Sequence, residues 1–162
     1  MTPMRSTFDR VDVRITSFMV RYSIAILRVS LGLNFLWFGA LKFFHGLSPA
    51  QDLAATTIER LTLGVVPPGV SVPILALWET LIGLGLLTGL FMRATLFLLF
   101  VQMLGAMTPL ALFPSETFTR VPYAPTLEGQ YIIKNLVLIS AGLAVGATVR
   151  GGGMVGSAPR QV

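Results

Sequence analysis

Tyr22-Ser23-Ile24-Ala25-Ile26-Leu27-Arg28-Val29-Ser30-Leu31-Gly32-Leu33-Asn34-Phe35-Leu36-Trp37-Phe38-Gly39-Ala40-Leu41-Lys42-Phe43-Phe44 is an apolar run interrupted by Arg28, Asn34 and Lys42. It is long enough to cross a bilayer core, which takes about 20 residues of helix. Three further runs of similar length follow at 71–92, 94–113 and 127–149. They contain Glu79, then Gln102, then Lys134 and Asn135. An ionisable group in hydrocarbon costs about 2.5–3.5 kcal/mol on insertion scales, so it normally faces a partner or a wet cavity. The runs predict the fold; the charges inside them are the direct hint of function.

Composition agrees. Of 162 residues 54% are hydrophobic and 12% charged, against about 25% charged in a soluble domain. The expected fold is an all-α integral membrane protein. It is a four-transmembrane-helix bundle at 22–150, preceded by an amphipathic membrane-surface segment at 1–21 and followed by a disordered cytoplasmic tail at 151–162. In segment 1–21, Phe8, Val11, Ile15, Phe18 and Met19 share one helical face, and Asp9, Arg10, Arg14 and Arg21 the other. That pattern suits a helix lying in the lipid interface.

The absence of cysteine removes thiolate catalysis, disulfide exchange and Cys-ligated clusters. A single histidine, His45, excludes a bis-histidine haem within one chain, and no metal site is expected. His45, beside Gly46, is expected to cap the first span. The net charge of +5 is spread around the spans, which suits membrane orientation and gives no reason to expect nucleic acid. The first run starts behind Arg5, Arg10, Arg14 and Arg21 and is longer than a signal-peptide core, so it is expected to remain as a span.

Loop charges set an orientation. The N-terminal segment, Arg93 in the second link and Arg150 and Arg160 in the tail oppose two loops in which Arg60 and Arg120 are outweighed by Asp52, Glu59, Glu116 and Glu128. Both termini are therefore expected in the cytoplasm, with the two long loops outside. In the first of these loops, Ser48-Pro49-Ala50-Gln51 reads as a capping box. Leu53, Thr57, Ile58 and Leu61 recur at helical spacing before Pro67-Pro68-Gly69, predicting a short helix across the outer mouth. The second, with Pro114, Pro122 and Pro125, is expected to be irregular.

Small residues mark packing faces in membrane helices. Ala25, Gly32 and Gly39 share a stripe with Arg28, Phe35 and Lys42; Ala76, Glu79, Gly83 and Leu86 form another. Thr95, Gln102, Ala106 and Pro109 align in the third run, where Pro109 is expected to kink the outer end. Tyr131, Asn135, Gly142 and Gly146 align in the fourth, with Lys134 at the edge of the stripe. By depth, Lys42, Glu79, Lys134 and Asn135 fall in one outer layer, with Trp37, Trp78 and Tyr131 beside them. The expected site is this cluster. Glu79 is its proton-handling, catalytic candidate, and Lys42 and Lys134 give it one excess positive charge. That excess suggests an anionic or carbonyl-bearing ligand, or a nearby carboxylate such as Glu128. Arg28 and Gln102 are secondary or structural. Plainer readings stand beside these: a snorkelling Lys42, a register-fixing ion pair at Glu79, and interfacial anchoring by Trp37 and Trp78.

Several of these stretches resemble one family. Leu27-Arg28-Val29-Ser30-Leu31-Gly32-Leu33 with Phe35-Leu36-Trp37-Phe38-Gly39-Ala40-Leu41-Lys42-Phe43, then Trp78-Glu79 with Ile82-Gly83-Leu84, resemble the first and second helices of DoxX-like membrane proteins. Leu127-Glu128-Gly129-Gln130-Tyr131-Ile132-Ile133-Lys134-Asn135-Leu136 is similar to the fourth helix of the YkgB-like branch. Thr88-Gly89-Leu90-Phe91-Met92-Arg93 departs from the frequent Gly-x-x-Thr-Arg form of the second link. The resemblance implies a four-helix protein of the bacterial inner membrane. It also implies links to thiosulfate:quinone oxidoreduction and to oxidative or reactive-chlorine stress.

Three functions are expected in order. The first is a redox-linked component with an outer-half pocket for quinone or a small anion, no cofactor of its own, and a soluble redox partner. The second is a non-enzymatic scaffold or anchor for a partner protein. The third is a small-anion permease acting as a homo-oligomer, paired through Gly142 and Gly146.

Overall fold

The structure is a computed structural model that describes residues 3–44, 46–48 and 51–152. The expected His45 cap, the Pro49–Ala50 part of the capping box and the tail from 153 onward lie outside the described residues. Helices α1 (Pro3–Leu41), α3 (Pro68–Thr88), α4 (Met92–Met107) with α5 (Pro109–Leu112), and α7 (Leu127–Ala147) form the bundle. Short α2 (Gln51–Leu61) lies between α1 and α3. Short α6 (Pro114–Thr117) and strands β1 (Phe118–Arg120) and β2 (Ala124–Pro125) lie between α5 and α7. Four helices are long and apolar enough to cross a membrane, and the chain is a multi-pass membrane protein.

The spans pack as a ring: α1 on α3, α3 on α4, α4 on α7 and α7 back on α1. Glycines set the closest seam. A Cβ on Gly83 would lie 2.5 Å from the Leu36 backbone nitrogen, and one on Gly39 would lie 2.8 Å from that of Thr80. A Cβ on Gly32 would meet Leu87 at 2.9 Å. The antiparallel register of α1 and α3 is thereby fixed at three successive levels, as close backbone approach in membrane helices requires. The apolar core sits inside the ring: Leu31 and Phe35, Ile82 and Leu86, Leu99 and Met103, and Val145 are buried.

Sequence punctuation explains the helix ends. Pro68 opens α3 at its first position, and Gly89, with φ 75°, closes it as a left-handed cap bonded to the Gly85 carbonyl. The third span divides at Thr108, because Pro109 has no N–H with which to continue the helix. The predicted outer-mouth helix is α2, which packs against α3 and α5.

Two features differ from expectation. The amphipathic segment is helical, but it joins the first span in one uninterrupted 39-residue helix. No proline or glycine separates Val20 from Tyr22, so nothing local breaks it. Because Arg28 already lies beside Gly89 at the end of α3, the preceding turns run on past α3 by about 35 Å at 1.5 Å per residue. The second long loop is also more ordered than an irregular connector. β1 and β2 pair antiparallel, and Thr126 ties this hairpin to α7. Its hydroxyl donates to the Glu116 carbonyl at 2.7 Å and accepts from the Gly129 N–H at 3.2 Å. Gly129 lies directly against the Thr117 carbonyl, where no Cβ fits.

Candidate functional site

Glu79 stands in the middle of α3 on the face that meets α1, and is 8% exposed. The α1–α3 glycine seam brings the end of α1 across it. The Lys42 Nζ donates to Glu79 Oε2 at 2.7 Å and reaches the Phe38 carbonyl at 3.4 Å. From the other side, Gln102 on α4 donates its Nε2 hydrogen to Glu79 Oε1 at 2.7 Å. Three helices thus converge on one carboxylate. Lys42–Glu79 is a salt bridge in which both side chains are only 11% exposed. Removal from water makes both charges costly unless they stay paired, so the pair holds itself together.

One atom of the cluster is unsatisfied. Gln102 Oε1 is buried and accepts no hydrogen bond. An unpaired buried acceptor costs about 1–3 kcal/mol. Trp78, next to Glu79, braces the layer from below: its Nε1–H donates to the Leu98 carbonyl at 3.1 Å and ties α3 to α4.

The remaining expected members are placed elsewhere. Trp37 is 69% exposed and faces away from the bundle. Lys134 and Tyr131 are also exposed, and pair with each other as a cation over an aromatic ring at 5.2 Å. The inward stripe of α7 runs Ile132, Asn135, Ile139, Gly142 and Val145, so Lys134 lies about 100° off it. Asn135 is on the stripe and half-buried, but makes no hydrogen bond with Lys42, Glu79 or Gln102. Without Lys134 the cluster holds one positive and one negative group, and the expected excess positive charge is absent. Gln102 enters instead. The signal was its place on the small-residue stripe of the third run, at the depth of Glu79.

Arg28 lies at the opposite end of the bundle. Its guanidinium packs on Gly89, at the C-terminus of α3, where exposed carbonyls favour a cation. Above the cluster, the segment that follows Lys42 opens into a cleft of about 610 Å³ lined by Ser48, Gln51, Asp52, Glu116 and Glu128, among others. Glu128 therefore belongs to this acidic mouth. Among the described residues no group of His, Cys, Asp and Glu has the arrangement of a metal site.

A multi-pass helical bundle built around one intramembrane carboxylate defines the class of protein. Within it, the chain belongs to the DoxX family, whose sequence profile matches residues 23–113. The match contains Lys42, Glu79, Trp78 and Gln102 and ends before α7. No curated protein and no solved structure matches the chain.

Proposed function

We propose that this DoxX-family protein is a redox-linked component of the bacterial inner membrane, with both termini in the cytoplasm. In this reading Lys42, Glu79 and Gln102 bind a quinone or a similar carbonyl-bearing molecule. The observation that carries it is the orphaned Gln102 Oε1 beside a fully engaged carboxylate. An ion pair that served register alone would have no use for an amide whose acceptor is left empty. A quinol hydroxyl supplies the missing donor, and the Lys42 ammonium suits a quinone carbonyl. Reduction of a quinone takes two electrons and two protons. A chain without cysteine and with one histidine draws the electrons from the redox centre of a partner protein, while one proton passes through Glu79 and the second comes from water. The link to oxidative stress and the YkgB-like branch rest on the sequence resemblance and belong to the same proposal.

A scaffold role is the second reading, favoured by one observation: both Glu79 oxygens already have partners at 2.7 Å within the protein. An anion permease is disfavoured, because three carboxylates line the mouth and Lys134 stands outside the cluster. The two leading readings separate in one experiment. Gently purified wild type is expected to retain quinone, and Glu79→Gln, still folded, is expected to lose most of it together with quinone-dependent activity. Retention of partner binding by folded Glu79→Gln, with no quinone in either protein, would instead establish the scaffold.

A further inference from the structure

At the end of the bundle that carries the α3–α4 turn, a groove of about 520 Å³ runs between α4 and α7. Its floor is apolar: Leu96, Phe97 and Phe100 from α4 and Gly146 and Ala147 from α7. The groove exists because α7 presents glycine there. A Cβ on Gly142 would press Leu99 at 3.2 Å, whereas one on Gly146 would only touch Leu96 at 3.4 Å, where the helices begin to part. Two arginines stand at its rim, Arg93 in the first turn of α4 and Arg150 just after α7. Both are exposed, and among the described residues neither has an ion pair or a hydrogen bond. No carboxylate lines the groove. The start of α4 adds to the positive field, since its N-cap, Phe91, offers no side-chain acceptor to the first N–H groups.

An apolar channel within a membrane span, closed at its polar end by two unpaired guanidiniums, has the chemistry of one molecule: a lipid with an acyl chain and a phosphate. We propose that the α4–α7 groove binds an anionic phospholipid, its chain against Phe97, Phe100 and Gly146 and its phosphate between Arg93 and Arg150. A basic pocket between membrane helices suits an anionic headgroup, and guanidinium pairs suit phosphate geometry. The site is separate from the Lys42–Glu79–Gln102 cluster and does not depend on what that cluster binds.

The test uses the full chain in delipidated detergent, with native mass spectrometry of added dioleoyl phosphatidylglycerol or dioleoyl phosphatidylcholine. Wild type is expected to hold one phosphatidylglycerol per chain in preference to phosphatidylcholine. R93Q/R150Q is expected to bind phosphatidylglycerol roughly 30-fold more weakly, with phosphatidylcholine, whose phosphate is offset by its own choline cation, weakened far less, and R93K/R150K to retain most of the preference. Gly146→Leu, which fills the groove and leaves the charges, is expected to weaken both lipids. Millimolar inorganic phosphate is expected not to displace the bound lipid. Equal binding of the two lipids, or undiminished phosphatidylglycerol binding by R93Q/R150Q, would overturn the proposal. Complete displacement by inorganic phosphate would overturn it as well, by reducing the site to one for a free anion. Both arginines are exposed, so the charge variants are expected to fold, and their melting temperatures check that.

Discussion

Glu79 is the residue on which the cluster turns. Its carboxylate takes hydrogen bonds at once from Lys42, just past the end of α1, and from Gln102 in α4, and each donor offsets part of the cost of a charge removed from water. Lys42→Ala leaves that charge uncompensated and is expected to cost about 3–5 kcal/mol. Replacing both partners by methionine removes the charge with its need, and is expected to recover most of that loss. Thermal unfolding of the three proteins in one detergent checks the order; a double variant as unstable as Lys42→Ala would contradict it. The sequence showed Glu79 and Lys42 clearly, because each interrupts an apolar run on a small-residue face. It overstated Lys134, since depth matched but angle did not: one residue of offset on a helix is about 100°. It understated Gln102, an uncharged residue whose importance depends on a carboxylate on another helix.

At the scale of elements, the α1–α3 seam positions the site. Gly83 has Leu36 backbone where a Cβ would stand, and Gly39 has Glu79 and Thr80 there. Gly83→Ala must therefore push α1 off α3, with an expected loss of about 1–3 kcal/mol or more and a weakened Lys42–Glu79 pair. Gly105, in α4, has nothing within 4 Å of its Cβ position. Gly105→Ala is expected to be neutral or to gain up to about 1 kcal/mol from helix propensity. Parallel melts of the two variants test the seam, and equal effects would refute it. The spans were legible because four long apolar runs admit few other folds, but the run read at 71–92 passes through Gly89, whose left-handed turn ends α3 at Thr88. The continuity of α1 was not, because a change from amphipathic to uniformly apolar pattern at Arg21–Tyr22 carries no backbone signal. Nor was the β1–β2 hairpin, whose order comes from Thr126 and Gly129 meeting α6 across the loop.

On the scale of the molecule, the bundle is asymmetric: an acidic mouth at the long-loop end, and Arg28, Arg93 and Arg150 at the other. The proposed orientation places the acidic end outside. Because the chain has no cysteine, single introduced thiols report sidedness cleanly. Thr119→Cys in β1 is expected to react with an impermeant maleimide in intact cells whose outer membrane is permeable to the reagent, and Leu90→Cys only after the inner membrane is opened. The reverse pattern would invert the topology. The central claim, that Lys42, Glu79 and Gln102 hold a ligand, has a direct reporter in Trp78, which adjoins Glu79 and is one of only two tryptophans. With Trp37→Phe removing the other, a short-chain quinone titrated into the protein in nanodiscs is expected to quench Trp78 fluorescence saturably. Gln102→Leu, which removes the open acceptor, is expected to raise the midpoint about tenfold. Quenching that never saturates, or a midpoint indifferent to Gln102→Leu and to Glu79→Gln, would contradict the account.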